Sequence, residues 1–283
     1  MEHHKSLPRE SIGVGLRPKF YEDLQRRRLF DYLEIISENF MFDQPIPNHY
    51  LSKLSMEYPI ALHGVSLNLL GSEDMDLNYL KKLKDLAHRL EACFVSDHLC
   101  WSQRENRFHH DLLPTPFRND LIQRTVDRAK FVQDYLGIPF AIENLSSYLT
   151  FRESDISEWD FYSTIVEKSD CRYLIDLNNI YVSSINHGFN PKEYLDQIDF
   201  TKVSQVHLAG HDPSHPELII DTHDRAVADK VWDLYEYAWQ KGGPFPTLIE
   251  WDENIPKLET VYLEAEKAKN LRKSIKAPYE ARP

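Results

Sequence analysis

The sequence is poor in cysteine and has no long apolar run. Its 283 residues include three cysteines, Cys93, Cys100 and Cys171, and an odd number without close pairs argues against a disulfide framework and favours a reducing compartment. No segment approaches the roughly 20 apolar residues of a transmembrane helix. The polar residues 1–10 are not followed by the apolar core of a signal peptide. We therefore expect a cytoplasmic protein with no membrane partner.

Positive charge is also scarce. With 33 Lys and Arg against 45 Asp and Glu, the formal net charge is −12, and no basic run is longer than Arg26-Arg27-Arg28. Because such a field repels polyanions, the composition predicts no nucleic-acid partner. The hydrophobic fraction of 42% is that of an ordinary globular protein, and the length fits one large domain or two smaller ones.

Short apolar runs alternate with longer segments of helical periodicity along most of the chain. The eight runs are 12–16, 32–36, 60–67, 93–98, 140–143, 173–177, 203–208 and 247–250. Eight strand–helix units in about 250 residues predict a closed (β/α)₈ TIM barrel. The alternative is an open doubly wound sheet, but Gly13-Val14-Gly15 is too short for the glycine-rich turn of a dinucleotide-binding sheet. We predict one barrel domain over 1–283, with frayed tails at 1–10 and 270–283.

Six successive runs contain, at or near the end of their apolar stretch, a side chain that can bind a metal. In chain order these are His63, His98, Glu143, Asp176, His207 and Glu250. The carboxyl ends of the strands of a closed barrel meet at one mouth. Carboxylates and imidazoles crowded into an apolar setting need partners, and divalent cations provide them. Taken singly, each residue is more often a hydrogen-bonded rim residue, but the joint pattern predicts a metal site.

A further pair of donors follows the seventh run. Asp221 and His223 stand two residues apart and would point to one side of an extended segment. Added to the six strand-end residues, they exceed the roughly four to six ligands that one ion takes. The sequence therefore predicts a multinuclear centre bridged by Glu143. Imidazole and carboxylate without thiolate suit Fe, Mn or Zn.

The order of motifs along the chain resembles a known family. The motifs are Gly13-Val14-Gly15-Leu16-Arg17, Glu38-Asn39-Phe40, His63-Gly64-Val65-Ser66-Leu67, Ser96-Asp97-His98-Leu99, Ile142-Glu143-Asn144-Leu145-Ser146-Ser147-Tyr148, Asp176-Leu177-Asn178-Asn179-Ile180-Tyr181-Val182, Asn186-His187-Gly188-Phe189, His207-Leu208-Ala209-Gly210-His211, Asp221-Thr222-His223 and Ile249-Glu250-Trp251-Asp252. In these motifs the sequence resembles the multinuclear non-haem iron-dependent oxidative enzymes (UPF0276 type), whose best-known member is the oxidase of methanobactin biosynthesis. That family is similar in fold to xylose isomerase-like barrels.

The resemblance implies two or three irons at the barrel mouth, with dioxygen as co-substrate. It places the first ion at His63, His98 and Glu143, and the second at Glu143, Asp176, His207 and Glu250. The third is expected at Asp221 and His223 with Asn178 or Asn179, a choice that the sequence leaves open. The residues expected to contact substrate or to support the ligands are Asn39, Asn144, His187, His211 and Asp252.

The resemblance also implies a reaction, the oxidation of cysteine residues in a ribosomally synthesised precursor peptide. Family members commonly work with a separate protein that delivers the peptide, and the sequence leaves open whether this chain needs one. A metal-dependent hydrolase, such as an endonuclease with three zinc ions, and a sugar isomerase are the alternatives on the same kind of barrel. The net charge counts against DNA, and no strand end offers the lysine that a sugar isomerase needs.

Overall fold

Eight parallel strands form the centre of the molecule. The computed structural model describes residues 6–42, 44–104, 107–215 and 217–275, and for residues 104 and 107–110 the backbone alone. The strands are β1 (Ile12–Gly15), β2 (Tyr32–Ile36), β3 (Ile60–His63), β4 (Val95–His98), β7 (Phe140–Glu143), β8 (Arg172–Asp176), β9 (Val203–Leu208) and β10 (Thr247–Ile249). Each pairs with the next, and β10 pairs with β1, so the sheet closes into a barrel. The predicted fold is confirmed.

The segments between the strands are mainly helical. The helices are α1 (Tyr21–Arg26), α2 (Pro45–Glu57), α3 (Leu77–Arg89), α4 (Asn119–Leu136), α5 (Glu158–Ser169), α6 (Leu177–His187), α7 (Pro191–Asp196), α8 (Asp229–Gly242) and α9 (Leu258–Ser274). The start of α3 is typical, because the side chain of Asp76 accepts hydrogen bonds from the backbone N–H groups of Asn78 and Tyr79. None of the described helices is long and apolar enough to cross a membrane.

An antiparallel hairpin interrupts the alternation of strands and helices. Its strands are β5 (Trp101–Arg104) and β6 (Arg107–Leu113), and it lies between β4 and α4. This hairpin was not among the elements predicted from the sequence. It brings Leu112 to the wall of the pocket described below.

The barrel interior has an apolar layer below a polar one. A buried cluster of Tyr32, Ala61, Cys93, Phe94, Ala141, Leu174 and Leu248 fills the end where the strands begin. In a strand, residues two apart point to the same face. Two residues beyond Ala61, Ala141, Leu174 and Leu248 therefore stand His63, Glu143, Asp176 and Glu250. This period places the polar side chains together at the mouth, above a closed floor.

Several strands end before the predicted runs do, most clearly β3, which ends at His63 rather than at residue 67, and β8, which ends before Leu177. This residue was expected in the sixth strand but begins α6. The cause is the side chain of Asp176, which accepts a hydrogen bond from the backbone N–H of Asn179 at 2.6 Å and caps the helix. The same carboxylate thus ends the strand, starts the helix and faces the mouth.

The described parts of both expected tails are held by contacts. The helix α9 continues to Ser274, and Arg272 donates hydrogen bonds to the backbone oxygen of Glu10 and the hydroxyl of Tyr235. At the other end, Arg9 donates to the backbone oxygen of Phe200 at 2.9 Å. Residues 6–10 and 270–275 are thus tied to the barrel by these contacts, while 1–5 and 276–283 lie outside the described residues.

Candidate metal centre

The first group of donors joins three neighbouring strands. The Nε2 atoms of His63 on β3 and His98 on β4 each lie 3.3 Å from Oε2 of Glu143 on β7. The two rings are 4.6 Å apart between centroids. One ligand atom of each of the three residues lies within 4.8 Å of the others. The family resemblance implied this group of three for the first ion.

Hydrogen bonds fix the orientation of both imidazoles. The Nδ1 of His98 donates to the backbone oxygen of Gly64 at 3.1 Å, and a carbonyl can only accept. The Nδ1 of His63 contacts the Ser96 hydroxyl at 2.9 Å, and that hydroxyl donates to the backbone oxygen of Leu62. Both Nδ1 atoms therefore carry the proton, and both Nε2 lone pairs point at Glu143. Metal-binding histidines are commonly held in this way.

Burial keeps these two histidines neutral. It lowers the pKa of His98 to about 4, and with the neighbouring His98 and His207 rings it holds the pKa of His63 well below its usual value. A neutral imidazole is the form that ligates a metal. Both side chains are thus in the required state at neutral pH.

The second group of donors surrounds His207 on β9. Its Nδ1 lies 3.0 Å from Oε2 of Glu250, 3.6 Å from Oε1 of Glu143 and 3.9 Å from Oδ2 of Asp176. Glu143 therefore faces this group with Oε1 and the first group with Oε2. That is the arrangement required of a bridging carboxylate.

The third group of donors is centred on His223, which follows β9 in a loop. Its Nε2 lies 2.7 Å from Oδ1 of Asp221, and its Nδ1 lies 3.3 Å from Oε2 of Glu250. Ligand atoms of Asp176, His223 and Glu250 lie within 4.8 Å of one another. The predicted pair of Asp221 and His223 thus joins the strand-end residues, and Asp176 and Glu250 adjoin it more closely than the sequence suggested.

The two candidate asparagines have different surroundings. Asn178 is already bonded on both sides, since its Oδ1 accepts from His211 at 2.7 Å and its Nδ2 donates to Asp221 at 2.6 Å. Asn179 lines the pocket, and its Nδ2 donates to the backbone oxygen of Asn144, which leaves its Oδ1 without a partner. Of the two amide oxygens, that of Asn179 is therefore the one free to bind an ion.

Buried polar atoms without hydrogen-bond partners gather in this site. Among the described residues they include Glu143 Oε2, Asp176 Oδ2, Asn179 Oδ1, His207 Nδ1, His223 Nε2 and Glu250 Oε2. Leaving such atoms unsatisfied is costly, and native proteins rarely do so. Burial also raises the pKa of Glu143 to about 7 and that of Asp176 well above its usual value. Cations bound among these atoms would satisfy them, so the residues fit a multinuclear metal centre.

Glu34, a buried carboxylate inside the barrel, was not among the predicted site residues. Glu34 lies on β2, two residues after Tyr32 of the apolar floor, and its Oε2 accepts a hydrogen bond from Gln205 at 2.5 Å. The same oxygen lies 3.3 Å from Nε2 of His207. A carboxylate in the middle of an apolar strand was the available signal.

Three of the five expected supporting residues contact the ligands. Asn144 holds Asp176 through two hydrogen bonds of 3.0 Å, one in each direction between its amide and the Asp176 backbone. His211 donates to Asn178, as described above. Asp252 Oδ2 accepts from Nδ1 of His223 at 3.1 Å, and its other oxygen pairs with Arg17.

The other two expected supporting residues lie outside the pocket wall. Asn39 is exposed in the short 3₁₀ helix Ser37–Phe40, and its contact with substrate stays a prediction. His187 lies at the end of α6, where its Nε2 contacts the Ser147 hydroxyl at 2.7 Å. It therefore anchors the loop after β7.

The pocket above these donors is small and partly apolar. Its volume is about 210 Å³. The apolar part of its wall consists of Ile36, Val65, Leu112 and Leu145. Neither Lys nor Arg lines it within the described part of the chain. The side chains of the wall therefore offer ligands for cations and no basic group for a phosphate.

Comparison with known proteins places the chain among bacterial relatives of similar length. A profile of the family described as "RiPP precursor modification enzyme MbnB/TglH/ChrH" matches residues 11–273. A UPF0276 protein of Caulobacter vibrioides is 42% identical over 264 residues, covering 93% of this chain and 94% of the relative. A UPF0276 protein of Vibrio parahaemolyticus is 40% identical over 285 residues, covering 99% and 98%.

Solved structures with a similar fold are distant in sequence. The D-psicose 3-epimerase of Clostridium cellulolyticum superposes with a TM-score of 0.60 at 12% identity, covering 94% of this chain and 99% of that one. Endonuclease IV of Thermus thermophilus gives a TM-score of 0.58 at 14% identity, covering 94% and 100%. At such identities the likeness shows the fold alone, which is xylose isomerase-like.

Proposed function

The chain belongs to the MbnB/TglH/ChrH family of enzymes that modify RiPP precursors (ribosomally synthesised and post-translationally modified peptides), and from this premise we propose that it is a multinuclear non-haem iron oxidase. It uses dioxygen to modify cysteine residues of a precursor peptide. The observation that carries the proposal is the position of Glu143, whose two oxygens face two separate groups of histidine and carboxylate donors. A carboxylate shared in this way is typical of centres with two or more metal ions.

Ten side chains are candidates for holding the ions under this proposal. His63, His98 and Glu143 hold the first, and Glu143, Asp176, His207 and Glu250 hold the second. Asp221, His223 and one asparagine hold the third, and the unpartnered oxygen of Asn179 favours Asn179 over Asn178. An amide oxygen is a weaker ligand than a carboxylate, so the third ion binds least tightly.

Iron bound here would supply the redox chemistry, since it can hold a substrate thiolate and reduce dioxygen. The protein supplies the setting. The Nδ1 hydrogen bonds of His63 and His98 keep their Nε2 atoms available for ligation. Asn144 and Asp252 fix the positions of Asp176 and His223. The apolar wall formed by Ile36, Val65 and Leu112 limits the entry of water.

The peptide substrate fits the shape and charge of the pocket. A volume of about 210 Å³ admits one side chain of a peptide rather than a folded domain. Cations held among the carboxylates of the pocket would stabilise the thiolate form of an entering cysteine. Delivery of the precursor by a separate protein is part of the proposal, and the chain acts in the cytoplasm.

A hydrolase or a sugar isomerase on the same barrel is supported less well. The fold resembles epimerases and endonuclease IV, but only at 12 to 14% identity. The pocket wall offers no described lysine for isomerisation and no arginine for a phosphodiester. The net charge of −12 also disfavours DNA.

Metal analysis coupled to oxygen uptake tests the proposal. Protein purified without oxygen is expected to contain two or three equivalents of iron and to consume dioxygen when a cysteine-containing peptide is added. The same peptide with serine in place of cysteine is the control. Stoichiometric zinc without oxygen uptake would instead indicate the hydrolase.

A further inference from the structure

Exposed apolar side chains gather on one side of the barrel mouth. Among the described residues, eleven large hydrophobic side chains are exposed, and five of them are Tyr148, Leu149, Ile185, Leu218 and Ile220. We call these five the apolar rim. Single exposed apolar residues are ordinary, but a group of them is typical of a binding surface.

The rim residues come from three segments that hydrogen bonds tie together. The amide of Asn186 on α6 donates to the backbone oxygens of Ser147 and Ile219, at 3.3 and 3.1 Å, and accepts from the backbone N–H of Ile219 at 2.9 Å. The hydroxyl of Tyr148 accepts from the backbone N–H of Asp221 at 3.0 Å. Because these bonds hold the three segments in place, the rim is organised before any ligand binds.

The rim is continuous with the pocket. Leu145 and Ser146 line the pocket, and Tyr148 and Leu149 follow them in the same loop. On the other side, Ile220 directly precedes Asp221, which also lines the pocket.

Helix geometry places Ile185 on the same side. Ile185 lies one turn after Tyr181 and two turns after Asn178, so the three residues share a face of α6. Asn178 bonds His211 and Asp221, and the Tyr181 ring packs against the His211 ring at 5.1 Å between centroids. This face of α6 therefore looks toward the loop that carries Leu218 and Ile220.

We propose that the apolar rim binds apolar residues that flank the modified cysteine of the precursor peptide. This inference rests on the proposed function, because it assumes that a peptide cysteine enters the pocket. An extended chain advances about 3.3–3.6 Å per residue, so residues two to four positions from that cysteine lie roughly 7–14 Å away. A peptide that leaves the pocket on this side must cross the rim. The rim thus selects precursors by their apolar flanking residues.

Matched substitutions of exposed apolar side chains separate the rim from the rest of the surface. Leu149 is 61% exposed and Leu218 is 44% exposed, and Leu149→Ser/Leu218→Ser removes both from the rim. The control is Leu263→Ser/Met56→Ser, which changes side chains on α9 and α2 that are 67% and 80% exposed. None of these four residues lines the pocket.

Fluorescence anisotropy without dioxygen provides the readout. The probes are two labelled nonapeptides with a central cysteine, one with leucines two and three positions to either side and one with serines there. The wild type should bind the leucine peptide about tenfold more tightly than the serine peptide. The rim variant should lose most of this preference, and the control variant should keep it.

Several results would overturn the inference. The first is that the wild type binds the two peptides equally or binds neither. The second is that the rim variant keeps the full preference for the leucine peptide. The third is that the control variant loses this preference as much as the rim variant does. If the rim variant keeps the peptide preference and sediments as a monomer where the wild type sediments as a dimer, the rim is a surface for self-association and not for peptide.

Failure of the proposed function can be told apart from failure of this inference. Protein that contains zinc and takes up no oxygen would contradict the proposed function, but its preference between the two peptides could still be measured.

Discussion

Glu34 and His207 face each other across the boundary between the barrel floor and the mouth. Oε2 of Glu34 lies 3.3 Å from Nε2 of His207, while Nδ1 of the same ring lies among Glu250, Glu143 and Asp176. Burial lowers the pKa of His207, but the carboxylates of Glu250, Glu34 and Glu143 outweigh it and raise that pKa well above its usual value. Under the proposed function, a proton held on Nε2 by Glu34 would leave Nδ1 for a cation. Glu34 would thus favour Nδ1 of His207 as the nitrogen that binds the metal ion.

Replacing Glu34 should weaken the second metal site without removing a proposed ligand. In Glu34→Gln, the acceptor for the Nε2 proton of His207 becomes neutral, so binding through Nδ1 is less favourable. Loss of such a support typically lowers metal affinity about 10–100-fold. Competition with a chelator measures the change. Glu158→Gln, which alters a carboxylate bonded to Tyr194 on α7, is the control, and equal affinities in the two variants would remove Glu34 from this role.

Replacing His63 should abolish oxygen uptake while preserving the barrel. His63→Ala deletes one of the three donors of the first group, and we expect uptake with a peptide thiol to fall more than about 100-fold. The circular dichroism spectrum should stay that of the wild type. Ser96→Ala, which removes only the hydrogen-bond partner of His63 Nδ1, should cause a smaller loss. Full turnover in His63→Ala would exclude His63 from the site.

The two asparagines should differ in how they hold the third ion. Asn179→Ala removes the unpartnered oxygen at the pocket wall, so the third equivalent of metal should be lost on dialysis. Asn178→Ala removes a support of Asp221 and His211, so that equivalent should remain but dissociate faster. Metal analysis before and after dialysis distinguishes the two. The opposite order of loss would reverse the assignment.

Protein stripped of metal should lose stability as pH rises. Burial raises the pKa of Glu143 from its ordinary 4.5 to about 7, so its charged form destabilises the fold. A carboxyl whose folded pKa exceeds its unfolded pKa stabilises below pH 4.5, and that stability disappears as pH rises through about 7. The raised pKa values of Asp176 and His207 act in the same direction. The lowered pKa values of His63 and His98 act in the opposite direction, but only below their ordinary pKa of 6.5, so the loss of stability is expected above that pH.

Thermal unfolding at several pH values measures this dependence. Glu143 alone accounts for at most about 3 kcal/mol, and Glu143→Gln should flatten the curve. Metal-loaded protein is the reference. Because bound cations stabilise the charged carboxylates, its melting temperature should rise with pH where that of the metal-free protein falls. A melting temperature of the metal-free protein that rises toward pH 8 would contradict the account.

The sequence predicted the barrel and the strand-end donors because both follow from simple periods. A strand exposes alternate residues to one face, so Ala61 and His63 or Leu248 and Glu250 had to point the same way. Closure of the sheet then brings distant strand ends together, which is why residues from His63 to Glu250 meet.

Other features depend on three-dimensional contacts that the period does not specify. Glu34 stands inside a run rather than at its end, and only the packing of β2 against the interior shows that it reaches His207. Asn178 and Asn179 are adjacent and of one type, and their roles differ only through the hydrogen bonds of α6 with His211 and Asn144. Asn39 has the expected motif but faces solvent.

The most direct test compares the metal content of Glu143→Ala with that of the wild type, both purified without oxygen. Because Glu143 faces two groups of donors, the account predicts that removing this one carboxylate costs more than one equivalent of iron out of two or three. His98→Ala, which removes a donor from the first group only, should cost about one equivalent. A loss of one equivalent or less in Glu143→Ala would contradict a shared carboxylate and, with it, the multinuclear centre.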